Sequence, residues 1–544
     1  MKKLISLIAF LYCFHAAAQE DAWVFLKDKP NAATFLASPL TMLSQRALDR
    51  RTRQNIALDN KDVPMETTYY SQIKSATGIT VLAKSKWLNA IHVQGTPINI
   101  KNLKTTYNTF VEKIEFADKT LNAKGRVHQS STTPKRKNKF EKTSTTFNYG
   151  NATNQITMLK GDFLHQQGYT GTGMYIAVID GGFLNVNTLA AFKRLRDNNQ
   201  ILGGYNFADR NTNFYTRDNH GTNVLSTIAG YIDGQFIGTS PDAKFYLFIS
   251  EISETETVLE ETLWVEAAEK ADSLGVDVIN TSLGYTTFDN ANYNYTYADM
   301  DGKTTFISRG AEIGVSRGMI LVNAAGNDGR IDNPWKYIGA PADVAGVFTV
   351  GAVNATGTIA DFSSYGPTSD GRVKPDVLAQ GQNVYVINHT TGDPVTSNGT
   401  SFSSPIMAGV VACFWQAFPN LTNTQIMQRI RESADRYNSP TAQYGYGIPN
   451  FENTYNTVLS VDGQEFLNAT TVYPNPVTNR LTIKTSLQNL ENTKIQIYNV
   501  IGKKVFQKNS LTTKTIDVSA LSSGIYILKI TNGNQQNTIK LIKK

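Results

Sequence analysis

Cysteine is nearly missing from this chain. Its 544 residues contain two, Cys13 and Cys413. Cys13 falls in a leader described below, so the remainder has at most one thiol. That excludes a disulfide framework and any metal site built on cysteine. Cys413 lies in an apolar run and is expected as a small buried hydrophobe. Histidine is scarce too, with six in all. No stretch after the leader approaches 18 apolar residues, so no membrane-spanning helix is expected. Acidic residues are almost absent from residues 470–544, which hold 11 Lys and Arg against two Asp and Glu, a net of +9. Residues 1–147 are also basic, with 23 against 11, and residues 148–469 are acidic, with 18 against 32. The overall +7 therefore hides an acidic middle between two basic ends. A nucleic-acid protein is basic on its working domain, so that partner class is disfavoured.

What remains is an ordinary globular composition, 41% hydrophobic and 18% charged, in a chain long enough for two to four domains. "MKKLISLIAFLYCFHAAAQ" opens with two lysines, an apolar stretch from Leu4 to Phe14, and three small alanines. This reads as a signal peptide over 1–18, cut before Gln19. A lipid anchor on Cys13 is disfavoured by the bulky Tyr12 before it. Residues 20–125 read as a small α/β unit. "AWVFL", "GITVLAKS", "WLNAIHVQG" and "VEKIEFA" are strand candidates. "SPLTMLSQRALDRRTRQN" is a helix candidate with Ser38 as N-cap and Pro39 at the first helical position, and "IKNLKTTYNT" is another. Residues 128–146 are polar and charged, which marks an exposed linker open to proteolysis.

From about Asn148 to residue 460, short apolar strands ("MYIAVID", "KFYLFIS", "VDVINTSLG", "MILVNAAGN", "VFTVGAV") alternate with helical segments. Such strands argue for a mostly parallel sheet with helices on both faces. Chemistry in these sheets gathers past the carboxyl ends of the strands. From residue 468 to 544 the pattern becomes alternating, punctuated by Pro, Asn and Gly. It predicts about seven short strands in an all-β sandwich.

Three motifs in the middle domain could carry chemistry. "YIAVIDGGF" ends a buried strand in Asp180, which alone reads equally as a turn residue. "DNHGTNVLSTIAG" places His220 before an apolar helix, and alone it reads as a structural histidine. "SNGTSFSSPIMAGV" places Ser401 where a helix begins, so it could cap that helix or use its N–H groups to hold an oxyanion. Taken together the three are more specific. A serine nucleophile needs a base, histidine serves near neutral pH, and a carboxylate orients the imidazole. The chain order Asp, His, Ser is one of several that serine hydrolases use.

On these motifs, residues 150–455 resemble the subtilisin-like serine peptidases (subtilases). The resemblance implies a serine endopeptidase with Asp180, His220 and Ser401 as its triad. "VINTSLG" resembles the family's substrate-binding strand, which implies that Ser282, Leu283 and Gly284 pair with substrate and line the S1 pocket. "NAAGNDG" resembles its oxyanion segment. That implies a side-chain donor in Asn327, with Ala324, Ala325 and Gly326 as the other S1 wall. Gly182–Phe183 and Ile406 depart from the usual pattern at positions that perform no chemistry. Asp328 would favour basic residues near the cut if it faces the pocket.

The ends resemble known modules as well. Residues 19–147 resemble a subtilase propeptide and its linker, which implies that the chain carries its own inhibitor. "VYPNPVTNRLTI", "YNVIGKKVFQ" and the final "KLIKK" resemble type IX secretion sorting domains of Bacteroidetes. That implies contact with the secretion machinery and a secreted or surface location. No cofactor is expected in catalysis and no metal ligand is assigned. The loop 286–304 is long and aromatic, and its Asp289, Asp299 and Asp301 are candidate ligands for structural Ca²⁺, against a plain solvated loop. The readings competing with a peptidase are a catalytically silent, surface-displayed binding protein and a carbohydrate-binding C-terminal domain. The second is disfavoured because residues 470–544 hold no tryptophan to stack on a sugar.

Overall fold

The computed structural model describes residues 19–122, 147–459, 471–484, 493–511, 513–532 and 535–544. The expected leader (1–18) and the linker over 128–146 lie outside the described residues. By its contacts the chain divides into two compact units, residues 1–451 and 452–544.

The first unit opens with four antiparallel strands, β1 (Glu20–Leu26), β2 (Ile79–Ser85), β3 (Ala90–Gly95) and β4 (Val111–Phe116), in the order β2-β3-β1-β4. β1 is apolar on both faces, and the period of two explains why. Ala22, Val24 and Leu26 pack with Ile73, Ile100 and Leu103 of the unit's own helices. Trp23 and Phe25 face the other way and join the core beneath the large sheet. The helix expected from Ser38 starts later. Pro39–Thr41 forms only a 3-10 turn, and helix α1 runs Gln45–Arg53, capped by Ser44, whose Oγ accepts from Ala47 N–H at 3.2 Å. A tertiary contact overrides the local signal here, since Ser44 N–H donates to the Ser273 carbonyl at 2.8 Å. Helix α2 (Pro97–Thr106) falls near its expected place, with Thr96 as its cap.

Seven parallel strands follow: β5 (Tyr175–Asp180), β6 (Ile201–Asn206), β7 (Lys244–Ile249), β8 (Val278–Thr281), β9 (Ile320–Ala324), β10 (Phe348–Val353) and β11 (Val377–Gln380). Their order is β11-β10-β9-β8-β5-β7-β6, all pairs parallel. Helices α3 (His220–Ala229), α4 (Val258–Leu274), α5 (Phe306–Ser316) and α6 (Thr400–Ala417) pack around this sheet. Strands β5, β8, β9 and β10 are buried almost throughout, which accounts for their apolar runs. The chain fills one side of β5 with β6 and β7, then crosses to the other with β8. The carboxyl ends of β5 and β8 thus flank the point where the strand order reverses, the usual place for a site in an open α/β sheet. Among the described residues no helix is long and apolar enough to cross a membrane.

The second unit holds seven described strands in two antiparallel sheets. One joins Thr471–Tyr473, Arg480–Lys484 and Thr515–Asp517. The other joins Lys504–Lys508, Thr493–Asn499, Gly524–Asn532 and Gln535–Lys543. Leu481, Ile483 and Ile516 of the first sheet share one core with Ile495, Ile497, Leu528 and Leu541 of the second. This is the expected sandwich.

Candidate active site

Asp180 is the last residue of β5 and is wholly buried. Its Oδ1 accepts from Gly181 N–H at 2.8 Å and lies 2.7 Å from His220 Nδ1. His220 is the first residue of α3. Two glycines let these segments meet. A Cβ on Gly221 would stand 2.4 Å from the Gly182 carbonyl and 3.0 Å from the Asp180 Cβ. A Cβ on Gly182 would stand 2.3 Å from Asp218 N, which gives that departure from the family pattern a steric reason. Burial disfavours the imidazolium of His220. The charge of Asp180 and the hydrogen bond to it outweigh burial, Asp218 adds to them, and His220 is raised above its ordinary value. Asp218, absent from the sequence reading, accepts His220 N–H at 2.9 Å. Burial opposes its charge, but donors from His220, Asn219 and Ser253 hold it below the usual carboxylate range.

Ser401 is the second residue of α6 and is 9% exposed. Gly399 precedes the helix at φ 150° and ψ 149°, a region that side chains other than glycine rarely adopt. Pro405 is the sixth residue of α6, beyond the first turn where proline usually sits. The helix starts earlier because Thr400 N–H finds an acceptor in Asn327 Oδ1, at 2.9 Å. Proline has no N–H for the carbonyl four residues back, which is that of Ser401. That carbonyl accepts instead from Ser282 Oγ at 2.9 Å, and Ser401 Oγ donates to the Ser282 carbonyl at 3.3 Å. Asn280 and Ser404 extend the tie at 3.1 and 2.9 Å, locking the end of β8 to the start of α6. The ring of Phe402, next to Ser401, lies 6.0 Å from the His220 ring, so the histidine and serine segments meet.

Asn327 follows β9. Its Oδ1 accepts from both the N–H and the hydroxyl of Thr400, at 2.9 and 3.0 Å. Two donors on the oxygen fix the amide and leave Nδ2 free to donate elsewhere. The Thr400 hydroxyl also accepts from Gly326 N–H at 3.1 Å. Thr400 is only a neighbour of Ser401 in the chain, whereas in space it is the brace of Asn327. Asn323 ties the facing walls together, donating to the Leu283 carbonyl at 3.1 Å.

Between these walls lies a cleft of about 240 Å³. It is lined by Ser282, Leu283, Gly284, Ala324, Ala325, Gly326, Asn327 and Ser401, all singled out in the sequence, and by Asp328. Thr286, Gly339 and Thr400 complete it and carried no sequence signal of their own. Asp328 Oδ1 accepts from Asn333 Nδ2 at 2.9 Å. Its Oδ2 lies 3.8 Å from where a Cβ on Gly326 would stand. The three aspartates of the aromatic loop turn to separate partners. Asp289 accepts from Glu256 N–H, Asp299 pairs with Lys119 at 2.6 Å, and Asp301 accepts from Lys303 and Thr304. Cys413 is buried, free and donates to the Thr239 carbonyl at 3.3 Å.

Compared with known proteins, residues 171–447 match the subtilase family, residues 21–137 the peptidase S8 propeptide domain of Bacteroidota, and residues 471–544 the secretion system C-terminal sorting domain. The thermostable alkaline protease of Halalkalibacterium halodurans is 30% identical over 298 residues, covering 54% of this chain and 70% of that protein. Subtilisin NAT of Bacillus subtilis subsp. natto is 30% identical over 299 residues, covering 55% and 69%. Among solved structures, the MycP3 protease of the type VII (ESX-3) secretion system is similar with a TM-score of 0.45 and 22% identity, over 56% of this chain and 88% of that one. The sorting domain assigns the protein to secretion or the cell surface. The chain belongs to the subtilase family and is a subtilisin-like serine peptidase with a family propeptide before it and a sorting domain after it.

Proposed function

We propose that the protein is a secreted endopeptidase that cuts protein substrates through an acyl-enzyme on Ser401. The observation that carries this reading is the 2.7 Å pair of Asp180 and His220 beside a cleft whose wall holds Ser401 at a helix N-terminus. A peptide lies along Ser282–Gly284, with its S1 side chain between that strand and Ala324–Gly326. Ser401 Oγ turns from the Ser282 carbonyl to His220 Nε2, hands over its proton and attacks the scissile carbonyl. Catalytic hydrogen bonds are often loose until substrate is bound, so the present rotamer fits this step. Asp180 holds Nδ1–H and stabilises the imidazolium. The oxyanion takes donors from Ser401 N–H and Asn327 Nδ2, at the positive end of α6. His220 then protonates the leaving amine, and water, deprotonated by the same nitrogen, releases the acyl group. These steps use no cofactor.

Substrate choice follows from Asp328. Its carboxylate at the cleft favours Lys or Arg near the cut, and the basic linker 128–146 of this chain offers such residues for self-processing. The propeptide serves as the inhibitor until that cut, and residues 468–544 engage the type IX machinery. A fluorophosphonate probe tests the core of the reading. Labelling at Ser401, with casein hydrolysis lost in Ser401→Ala, is the expected result. An unlabelled serine makes the chain a silent binding scaffold instead, and hydrolysis unchanged in the variant removes Ser401 as the nucleophile.

A further inference from the structure

Two surface helices of the peptidase end on acceptors with no cation of their own. A helix C-terminus carries partial negative charge and unpaired carbonyls, so lysine or arginine is favoured there. Neither α4 nor α5 has a basic residue in its last turn. α4 instead places Asp272 in its last turn, and Asp277 follows soon after. Both are buried, Asp272 completely. Arg317, at the end of α5, turns its guanidinium away to Asp59 and Asp62 of the propeptide, at 3.0 and 3.3 Å.

The missing cations come from propeptide helix α1. Arg50 is fully buried and donates to the carbonyls of Arg317 at 3.2 Å, Asp272 at 3.3 Å and Val276, and pairs with the Asp272 carboxylate. Arg51 donates to the Arg317 carbonyl at 2.8 Å and to both oxygens of Asp272, at 2.8 and 3.0 Å, with Asp62 at 2.9 Å on its other side. Arg46 donates to the carbonyls of Gly275 and Gly173, each at 2.9 Å, and pairs with Asp277. The backbone is shaped for this approach. A Cβ on Gly275 (φ 82°) would stand 2.8 Å from Ala47 N, and one on Gly318 (φ 86°) 2.8 Å from Gln54 Nε2. Arg50 and Arg51 thus share one carboxylate and one carbonyl through several N–H groups. A planar guanidinium can do this and an ammonium cannot.

We propose that the peptidase carries a guanidinium-binding socket, separate from its cleft, at the joined C-terminal ends of α4 and α5, and that Arg50 and Arg51 in this socket hold the propeptide on after the linker is cut. The socket deepens the reading of residues 21–137 as a propeptide and does not depend on catalysis. Blocking the cleft and gripping the peptidase are then tasks of different parts of the propeptide.

The test uses the full chain with Ser401→Ala, which removes self-processing, nicked by trypsin in the basic segment 124–142. On size exclusion the N-terminal unit is expected to stay with the peptidase. In the same chain with Arg50→Lys and Arg51→Lys it is expected to separate, with affinity lower on the order of 100-fold. Lysine variants that hold as tightly as arginine overturn the proposal. Should those variants fail to fold, Asp272→Asn leaves α1 untouched. Hydrogen exchange is then expected to rise over residues 45–53 and to stay slow over 90–95, and unchanged protection over 45–53 overturns the proposal. Methylguanidinium is expected to raise the melting temperature of the Arg50→Ala chain where methylammonium does not. Equal effects of the two ions also overturn it.

Discussion

The cleft and the propeptide socket are both built on helix ends, and they treat their polar groups in opposite ways. At the cleft, the N-terminus of α6 keeps donors in reserve. Asn327 has its oxygen pinned twice while Nδ2 stays unpaired with protein. Asp180 Oδ2 is buried with no protein partner. At the socket, the carbonyls of Gly275, Val276, Arg317 and Gly318 at the ends of α4 and α5 are each met by a propeptide side chain. A buried polar group without a partner costs about 1–3 kcal/mol; Asp180 Oδ2 bears that cost at the cleft and Arg51 Nε, on the propeptide side, bears it at the socket, whereas Asn327 is exposed. On the proposed mechanism and the proposed socket, the contrast separates a surface prepared for a transient charge from one prepared for a lasting hold.

That contrast breaks most completely at Ser401. Ser401→Ala is expected to lower kcat on casein by about 10⁶-fold, with an unchanged melting temperature. Asp180→Asn comes next, with a loss of about 10⁴-fold. It also moves the pH profile. His220 is raised above its ordinary 6.5 because Asp180 outweighs burial. The free base therefore appears only above that raised value, and the acid limb of kcat/KM is expected above pH 6.5. In Asp180→Asn the limb moves down. Stability runs the other way, because the imidazolium–Asp180 pair contributes fully below pH 6.5 and is lost as pH rises through the raised value. The melting-temperature gap between native chain and Asp180→Asn is thus expected to narrow from pH 5 to pH 9.

Asn327→Leu keeps the size of the side chain and removes the reserved donor. The expected loss is about 10²–10³-fold in kcat, as for such a donor elsewhere in this family, with KM little changed. Gly399→Ala probes the same spot from the backbone. Its Cβ would stand 3.6 Å from Ser401 N and 3.7 Å from Asn327 Nδ2, between the two donors. The strained backbone is expected to cost about 1–3 kcal/mol in denaturant unfolding, with kcat lowered as well. Asp328→Asn gives the smallest effect. A half-exposed charge is worth up to about 1 kcal/mol, so preference for Lys or Arg over Met in a peptide library is expected to fall about fivefold.

Much of the site was legible because its parts are local. A strand ending in Asp180, a helix opening on His220 and a Gly-Thr-Ser before an apolar helix each announce themselves within ten residues. β6 was not read, since "ILGGYN" has two glycines inside it, and β11, Val377–Gln380, was not read either. Thr400 as the brace of Asn327 could not be read either, because the two are 73 positions apart. In α1 the signal at Ser38–Pro39 was genuine and lost to a contact with Ser273.

By itself the sequence determined the order of modules, the alternation of strands and helices, and the residue types needed for serine chemistry. Those depend on hydrophobic period and on side-chain identity, which neighbours in the chain already carry. The tertiary structure alone decided where Ser401 stands in its helix, how Asn327 is aimed, and that three arginines of an exposed-looking basic helix are anchored in the peptidase. Each of these rests on a partner far along the chain, and no local pattern records which distant carbonyl or carboxylate will arrive.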